Sequence, residues 1–472
     1  MDGLKLFAGL LLPWLFGMAV LAAGLRARNP LDAPGEFAWI TGAGYLAGAF
    51  LSTLWMRALS LAGVPFGILA IGAPLLAATL AAGYFAERRD SRRLPRAALA
   101  ALRALVSPPG LEGTARLAWR LLFAWIVLRF ILLGFEVWWQ PLYPWDAWIQ
   151  WATKARVWYE LGRIVPFARA DAWFAADGAA YFDASPNYPP TAPLLQVWAC
   201  IVLGRWDDAL MNWPWWQIAV ALAFAVYGAL RTLGMSALGA LVVAYFVASL
   251  PLANVHVALA GYADLPMAAY YTCAVLALLR WAAVRDLPDA ALVALLALAC
   301  TQVKVPGLAW ALTLVPGVIV VLLPRLGLKI AAVGLGAAIF LLTVLAQTST
   351  KILGYRLHLD FEPAWQALGE SYFLLGNWNL LWYGVLAAAV LAWRQLLSPT
   401  LVPLTVIVAA GVVFLFVVFG FTNASAWVTD RTTVNRATLH FAPVAAIFAA
   451  LAFRAFALRW ADSRALAAVP AP

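Results

Sequence analysis

The sequence predicts an all-α, polytopic transmembrane protein of about thirteen spans, and three observations carry that prediction. Of the 472 residues, 65% are hydrophobic and 11% charged, where a soluble domain carries about 25% charged residues, and the mean hydropathy is +0.85. The apolar stretches are long and continuous rather than alternating, which selects helices over a barrel. The arginines gather in short connections between those stretches, the positive-inside pattern. The net charge of +10 therefore reports orientation in a membrane and not a nucleic-acid partner.

Leu4–Gly24 lacks a basic start, is long enough to span and is followed by Arg26 and Arg28, so it reads as a retained first span rather than a cleaved signal. Spans at 37–60 and 64–84 follow. The connection Glu87 to Arg120 holds Arg88, Arg89, Arg92, Arg93, Arg96 and Arg103 and belongs on the cytoplasmic side. The span at 116–136 then runs outward and delivers 137–212, the longest interruption of the chain, to the far side. This loop is rich in Trp, Tyr and Pro, as expected of a segment that hugs the membrane. Within it, Pro193–Leu203 is too short to cross and reads as a half-buried surface helix. Leaving it uncounted keeps Arg231, Arg280, Arg285, Arg325, Lys329, Arg394 and the tail arginines 454, 459 and 464 inside. The remaining spans are expected at 213–231, 237–256, 266–283, 288–304, 307–323, 328–346, 376–393, 400–420 and 438–458. The chain thus divides into 1–115 (three N-terminal spans and the basic loop), 116–458 (the membrane core with its 137–212 loop) and a cytoplasmic tail, 459–472. Cys200, Cys273 and Cys300 are isolated in apolar surroundings and read as embedded free thiols.

The chemistry centres on Pro141–Trp158, PLYPWDAWIQWATKARVW, where one acid, Asp146, sits between Trp145 and Trp148. As a helix, it places Asp146, Gln150, Thr153 and Lys154 on a polar side and Trp145, Trp148, Ala152, Ala155 and Tyr159 on the other. Tryptophan favours the headgroup boundary, so the stretch reads as an amphipathic juxtamembrane helix; a solvated loop acid beside anchoring tryptophans is the equal alternative. Charged groups at membrane depth cost roughly 2.5–3.5 kcal/mol each, so the others stand out too. Asp264 in Gly-Tyr-Ala-Asp-Leu-Pro reads as an N-cap or a site acid, and Lys304 as an interfacial anchor or a phosphate ligand. Arg436 and His440, four apart at the start of the last span, share a face and read as an interfacial pair or as anion ligands. His358 reads as a loop residue, and Asp430 and Arg431 as paired with each other or with solvent. The unusual polar residues are expected to collect on the far face. An acid on a surface helix with cations at one mouth suits group transfer from a phosphate-bearing lipid: the acid takes the proton of an attacking hydroxyl, and the cations stabilise the departing phosphate. A Walker sequence, a glycine-rich nucleotide loop and HExxH are all missing from the sequence.

At these residues the chain resembles the GT-C superfamily of polytopic glycosyltransferases, in particular bacterial relatives of the protein O-mannosyltransferases and aminoarabinose transferases. The resemblance spans roughly 116–458. It rests on Trp145-Asp146-Ala147-Trp148 with Lys154-Ala155, Tyr188-Pro189-Pro190 before Leu194-Leu195, Gly261 to Pro266, Lys304 with Gly307, and Arg436, His440 and Pro443. It implies a GT-C-like core in the bacterial inner membrane, a site facing the periplasm, a polyprenyl-phosphate sugar donor, inversion at the sugar, and a lipid, glycan or protein acceptor. Asp146 then takes the role of general base and Asp264 that of the second acid. Lys304, Arg436 and His440 hold the donor phosphate, and Trp145, Trp148, Lys154 and Tyr188 position the acceptor or the loop. No cofactor is expected. Ala147 stands where many relatives carry a second acid, Tyr188 where some carry a Glu or His of a metal site, and Val303 where the family has threonine, so a divalent metal finds no support. The first three spans fall outside the usual core. Competing readings are a transporter or flippase for a lipid-linked or polar solute, which calls for mid-membrane charges and two related halves, an O-antigen ligase or polymerase, and a structural scaffold.

Overall fold

The computed structural model describes residues 2–25, 30–88, 94–176, 180–352, 354–361 and 363–467. Arg26, Arg28, Arg89, Arg92 and Arg93, which carry part of the predicted inside charge, lie outside the described residues, as do the Arg464 side chain and residues 468–472. The regular secondary structure of the described residues is almost all helix. Among the described residues the strands are two short pairs, Phe167–Ala168 with Tyr181–Phe182 and Lys351–Ile352 with Tyr355–Arg356.

Nine helices of the described chain are long and apolar enough to cross a membrane, or ten if Ala237–Ala248 and Pro251–Ala258, bent by 61° at their junction, form one broken span. The nine coincide with nine of the expected spans. The expected 288–304, 307–323 and 376–393 are shorter apolar helices, Leu287–Val303, Gly307–Leu322 and Leu381–Leu391. Local chemistry sets the ends. Pro214, Pro288 and Pro403 occupy first turns, where a missing N–H costs nothing. Asp286 and Ser236 cap their helices through the amides of Asp289 and Gly239, a contribution of about 1 kcal/mol each. The basic connection contains an amphipathic helix, Leu94–Val106. Several apolar helices are bare. The most apolar window of Gly327–Gln347 is 0% buried and that of Gly113–Trp139 11%, surfaces suited to contact with lipid. The chain is a multi-pass membrane protein.

The backbone forms two compact units, 1–249 with 253–280 and 285–307, and 308–472 with 250–252 and 281–284. In the first, Glu36–Leu61 is the central helix, packed along Asp2–Leu25 and Trp213–Thr232. Its glycines let backbone meet backbone: a Cβ on Gly17 would fall 1.8 Å from the Gly44 carbonyl oxygen, and one on Gly48 1.9 Å from that of Pro13. The first helix is thus built into this unit. Thr191–Leu203, expected as a half-buried surface helix, is instead buried on nearly every side. Leu6, Leu10 and Met56 of the first two helices and Ala155 and Trp158 of the 137–212 loop close around it. A single helix read in isolation shows an apolar run too short to span, and nothing of the neighbours that enclose it.

In the second unit, Leu381–Leu391 packs on Ala442–Ala467 through Ala388, Ala392, Ala449 and Ala452. The expected last span forms as Ala442–Ala467, and Thr433–Leu439, which carries Arg436, is a separate short helix before it.

Candidate functional site

The helix predicted over Pro141–Trp158 forms, but its first part is a π-helix, Ala147–Ala152, continued by the α-helix Thr153–Leu161. The Trp148 carbonyl accepts from the amide of Thr153, five residues on, and from its hydroxyl at 2.7 Å, which fixes the wide turn. The wide turn rotates the faces away from the 3.6-residue reading. The buried side is Ala147, Trp151, Ala152, Lys154, Ala155 and Trp158, while Trp145 and Trp148 are exposed and meet edge-to-face at 5.1 Å. Asp146 is half-buried at the start of this turn.

Lys154, expected on the polar side, is therefore corrected to a buried residue, 1% exposed. Its ammonium donates to the Ser185 carbonyl at 2.7 Å and lies 3.4 Å from Asp183, itself fully buried. Asp183 accepts the Ser185 amide at 2.6 Å, and the Tyr188 ring packs on Trp151 at 4.9 Å. Burial pushes the Asp183 carboxyl up from its usual range, although Lys154 and the Ser185 amide oppose it; burial likewise pulls the Lys154 amine down. Lys154 and Tyr188 thus fasten the 183–190 segment to the helix that carries Asp146. Asp183 and Trp151 were missed in the sequence. The 3.6-residue reading left Trp151 off its apolar face, and Asp183 belongs to no recognisable pattern.

The second acid lies alongside. Gly261 adopts φ +111°, and a Cβ there would sit 2.8 Å from the Ala147 methyl and 2.8 Å from Leu142 Cδ1. The loop that leads to Asp264 is therefore pressed against the turn that follows Asp146. Asp264, fully buried, is the first residue of its helix rather than the N-cap, and its carboxylate faces the positive end of the helix. It accepts from Lys304 Nζ at 2.5 Å, and its other oxygen is 4.0 Å from His256 Nε2. His256 packs on the Tyr262 ring at 5.3 Å, and the Tyr262 carbonyl accepts from Trp215 at 2.6 Å. Lys304 terminates the helix Leu287–Val303 in extended conformation, which aims its stem at Asp264. The structure thus brings Asp146, Asp264 and Lys304 into one region of the first unit and adds His256, which the sequence did not single out.

This end of the unit also holds the connection after the second helix: Phe66 N–H donates to the Gly162 carbonyl at 2.7 Å, and the Ile164 amide donates to Ser60 Oγ at 3.0 Å. A second buried charged cluster lies at the opposite end of Glu36–Leu61. There Arg280 binds both oxygens of Glu36 at 3.1 and 3.2 Å and Asp289 at 3.3 Å, all three buried. Glu36 carries no signal in the sequence because its partner lies 244 residues away.

Arg436 and His440 belong to the second unit. His440 is 1% exposed, and its Nδ1 accepts from Trp310 Nε1 at 3.0 Å, which leaves the ring proton on Nε2. Arg436 is half-buried in Thr433–Leu439. The expected Asp430–Arg431 pairing is replaced: Arg431 binds Glu370 at 2.5 Å, while Asp430 accepts from the Thr432 and Thr433 amides at 2.8 and 3.2 Å. His358 lies in the loop, against the Asp360 carbonyl at 2.8 Å. Among the described residues, no three His, Cys, Asp or Glu side chains come together as a metal site, and the three cysteines are buried and free. No known protein family, curated protein or solved structure matches this chain.

Proposed function

We propose that the chain is a membrane glycosyltransferase that moves a sugar from a polyprenyl-phosphate donor to a lipid, glycan or protein acceptor, inverting the anomeric centre. The observation that carries this reading is the packing of Ala147 on Gly261. It sets Asp146, a half-buried acid, beside the loop of Asp264, whose carboxylate is held by Lys304. Asp146 serves as general base toward the acceptor hydroxyl, a role that calls for an acid with one side open. Asp264 holds Lys304 and the 260–264 loop in place. Lys304 is assigned to the donor phosphate, and Trp145, Trp148, Lys154 and Tyr188 to the loop that receives the acceptor. The sidedness follows the arginine pattern: the site faces the periplasm of a bacterial inner membrane, within a GT-C-like core of about thirteen crossings if the short helices also cross.

Native mass spectrometry of the protein in mild detergent, with a transfer assay, tests the reading. A co-purifying polyprenyl phosphate and turnover lost in a folded Asp146→Asn protein are the expected results. Full turnover in that variant would remove Asp146 from the base role.

A second reading, a transporter or flippase, draws on the 61° break between Ala237–Ala248 and Pro251–Ala258, since discontinuous helices line transport sites. Counterflow of a lipid-linked sugar in vesicles, with no transfer, would favour it.

A further inference from the structure

Arg57 lies one turn before the end of Glu36–Leu61, at the end of the unit that carries Asp146 and Asp264. Its partners are both neutral: Nη1 donates to Gln302 Oε1 at 2.6 Å and Nη2 to Thr191 Oγ1 at 2.8 Å. Among the described residues its buried Nε has no hydrogen-bond partner. A guanidinium remains charged at any ordinary pH, and a charge at membrane depth without a counter-ion costs several kcal/mol. Lys304, by contrast, already has a carboxylate.

We propose that Arg57 is an anion subsite whose guanidinium takes the phosphate of a polyprenyl-type lipid phosphate. The lipid source rests on the transferase reading above; the anion subsite rests on geometry alone. Thr191 and Gln302 turn the guanidinium fork and leave its charge uncompensated. Thr191 directly follows the Tyr188-Pro189-Pro190 segment, and Gln302 precedes Lys304 by two residues, so the subsite is tied to both loops of the candidate site. Arginine suits such a contact better than lysine because its planar fork matches two phosphate oxygens.

The test is equilibrium binding of radiolabelled farnesyl phosphate to the full chain in nanodiscs of zwitterionic lipid. Farnesol, inorganic phosphate and phosphatidylglycerol serve as competitors. The expected result is that Arg57→Gln weakens binding by about tenfold or more, Arg57→Lys restores part of it, and none of the competitors displaces the probe at equal concentration. A Thr191→Val/Gln302→Leu protein, which keeps the charge but frees its fork, is expected to bind about threefold or more weakly; this arm decides if Arg57→Gln does not fold. Unchanged affinity in Arg57→Gln, or in the double variant where that arm decides, overturns the subsite. Equal competition by farnesol or phosphatidylglycerol overturns it as well, the first by removing the phosphate, the second by reducing Arg57 to a headgroup anchor. Equal competition by inorganic phosphate overturns the lipid source. Lost binding in a protein without transferase activity keeps the subsite and removes the transferase reading; sugar transfer unaffected by Arg57→Gln does the reverse.

Discussion

Ala147 occupies the space that any side chain on Gly261 would need, with 2.8 Å between the Ala147 methyl and a Cβ at that position. A carboxylate in place of the Ala147 methyl would meet the same 260–264 loop. Gly261→Ala carries two penalties, the steric one and a left-handed φ of +111°. It is expected to destabilise the protein by about 1–3 kcal/mol, read as a fall in the thermal midpoint in detergent. An unchanged midpoint would mean that the two segments are not in contact.

Lys304 and Asp264 form a buried pair with side chains 12% and 0% exposed. Removing one partner strands the other, so Lys304→Met and Asp264→Asn are each expected to cost about 3–5 kcal/mol, and the double variant less than the sum. A double-mutant cycle on unfolding measures the coupling. Strict additivity would show that the two charges do not depend on each other.

The Lys154–Asp183 pair predicts a pH dependence. Because burial raises the Asp183 carboxyl above its usual 3.8, the folded chain holds a proton that the unfolded chain has released. The stability this group contributes is full below 3.8 and is lost as pH rises through the elevated folded value. Burial lowers Lys154 from its usual 10.5, so its contribution has the opposite sign and is gained as pH rises through the lowered folded value. The thermal midpoint of the wild type relative to Asp183→Asn is therefore expected to rise as pH is lowered from neutral toward the acid range. A difference that stays flat across this range would place Asp183 in water.

Much of this architecture was legible in the sequence because lipid imposes length and continuity on every span. Leu4–Gly24, 37–60 and 116–136 were recognisable from their residues alone. The 307–323 stretch was not, since hydropathy runs through Pro316 while the helix breaks at 313–314. The region around Asp146 was found through its tryptophans, yet its faces were misread: periodicity presumes 3.6 residues per turn, and the Thr153 hydroxyl supports a wider one. Arg57 and His256 escaped notice for another reason. Arg57 lies inside an apolar span and His256 in an apolar stretch, and their partners Gln302, Thr191 and Asp264 are brought to them only by tertiary packing.

Gly17, Gly44 and Gly48 give the first two helices no side chains that could re-seat after a slip. The same holds where Gly42 lies against the Ala221 carbonyl and Gly228 against the Trp39 amide, positions at which a Cβ would come within 2.3 and 2.2 Å. Shear between packed helices needs ridges that can hop into the next groove, and at these glycines backbone lies against backbone instead. Asp2–Leu25, Glu36–Leu61 and Trp213–Thr232 therefore behave as a stator. Any motion of the first unit has to be hinged outside those three helices.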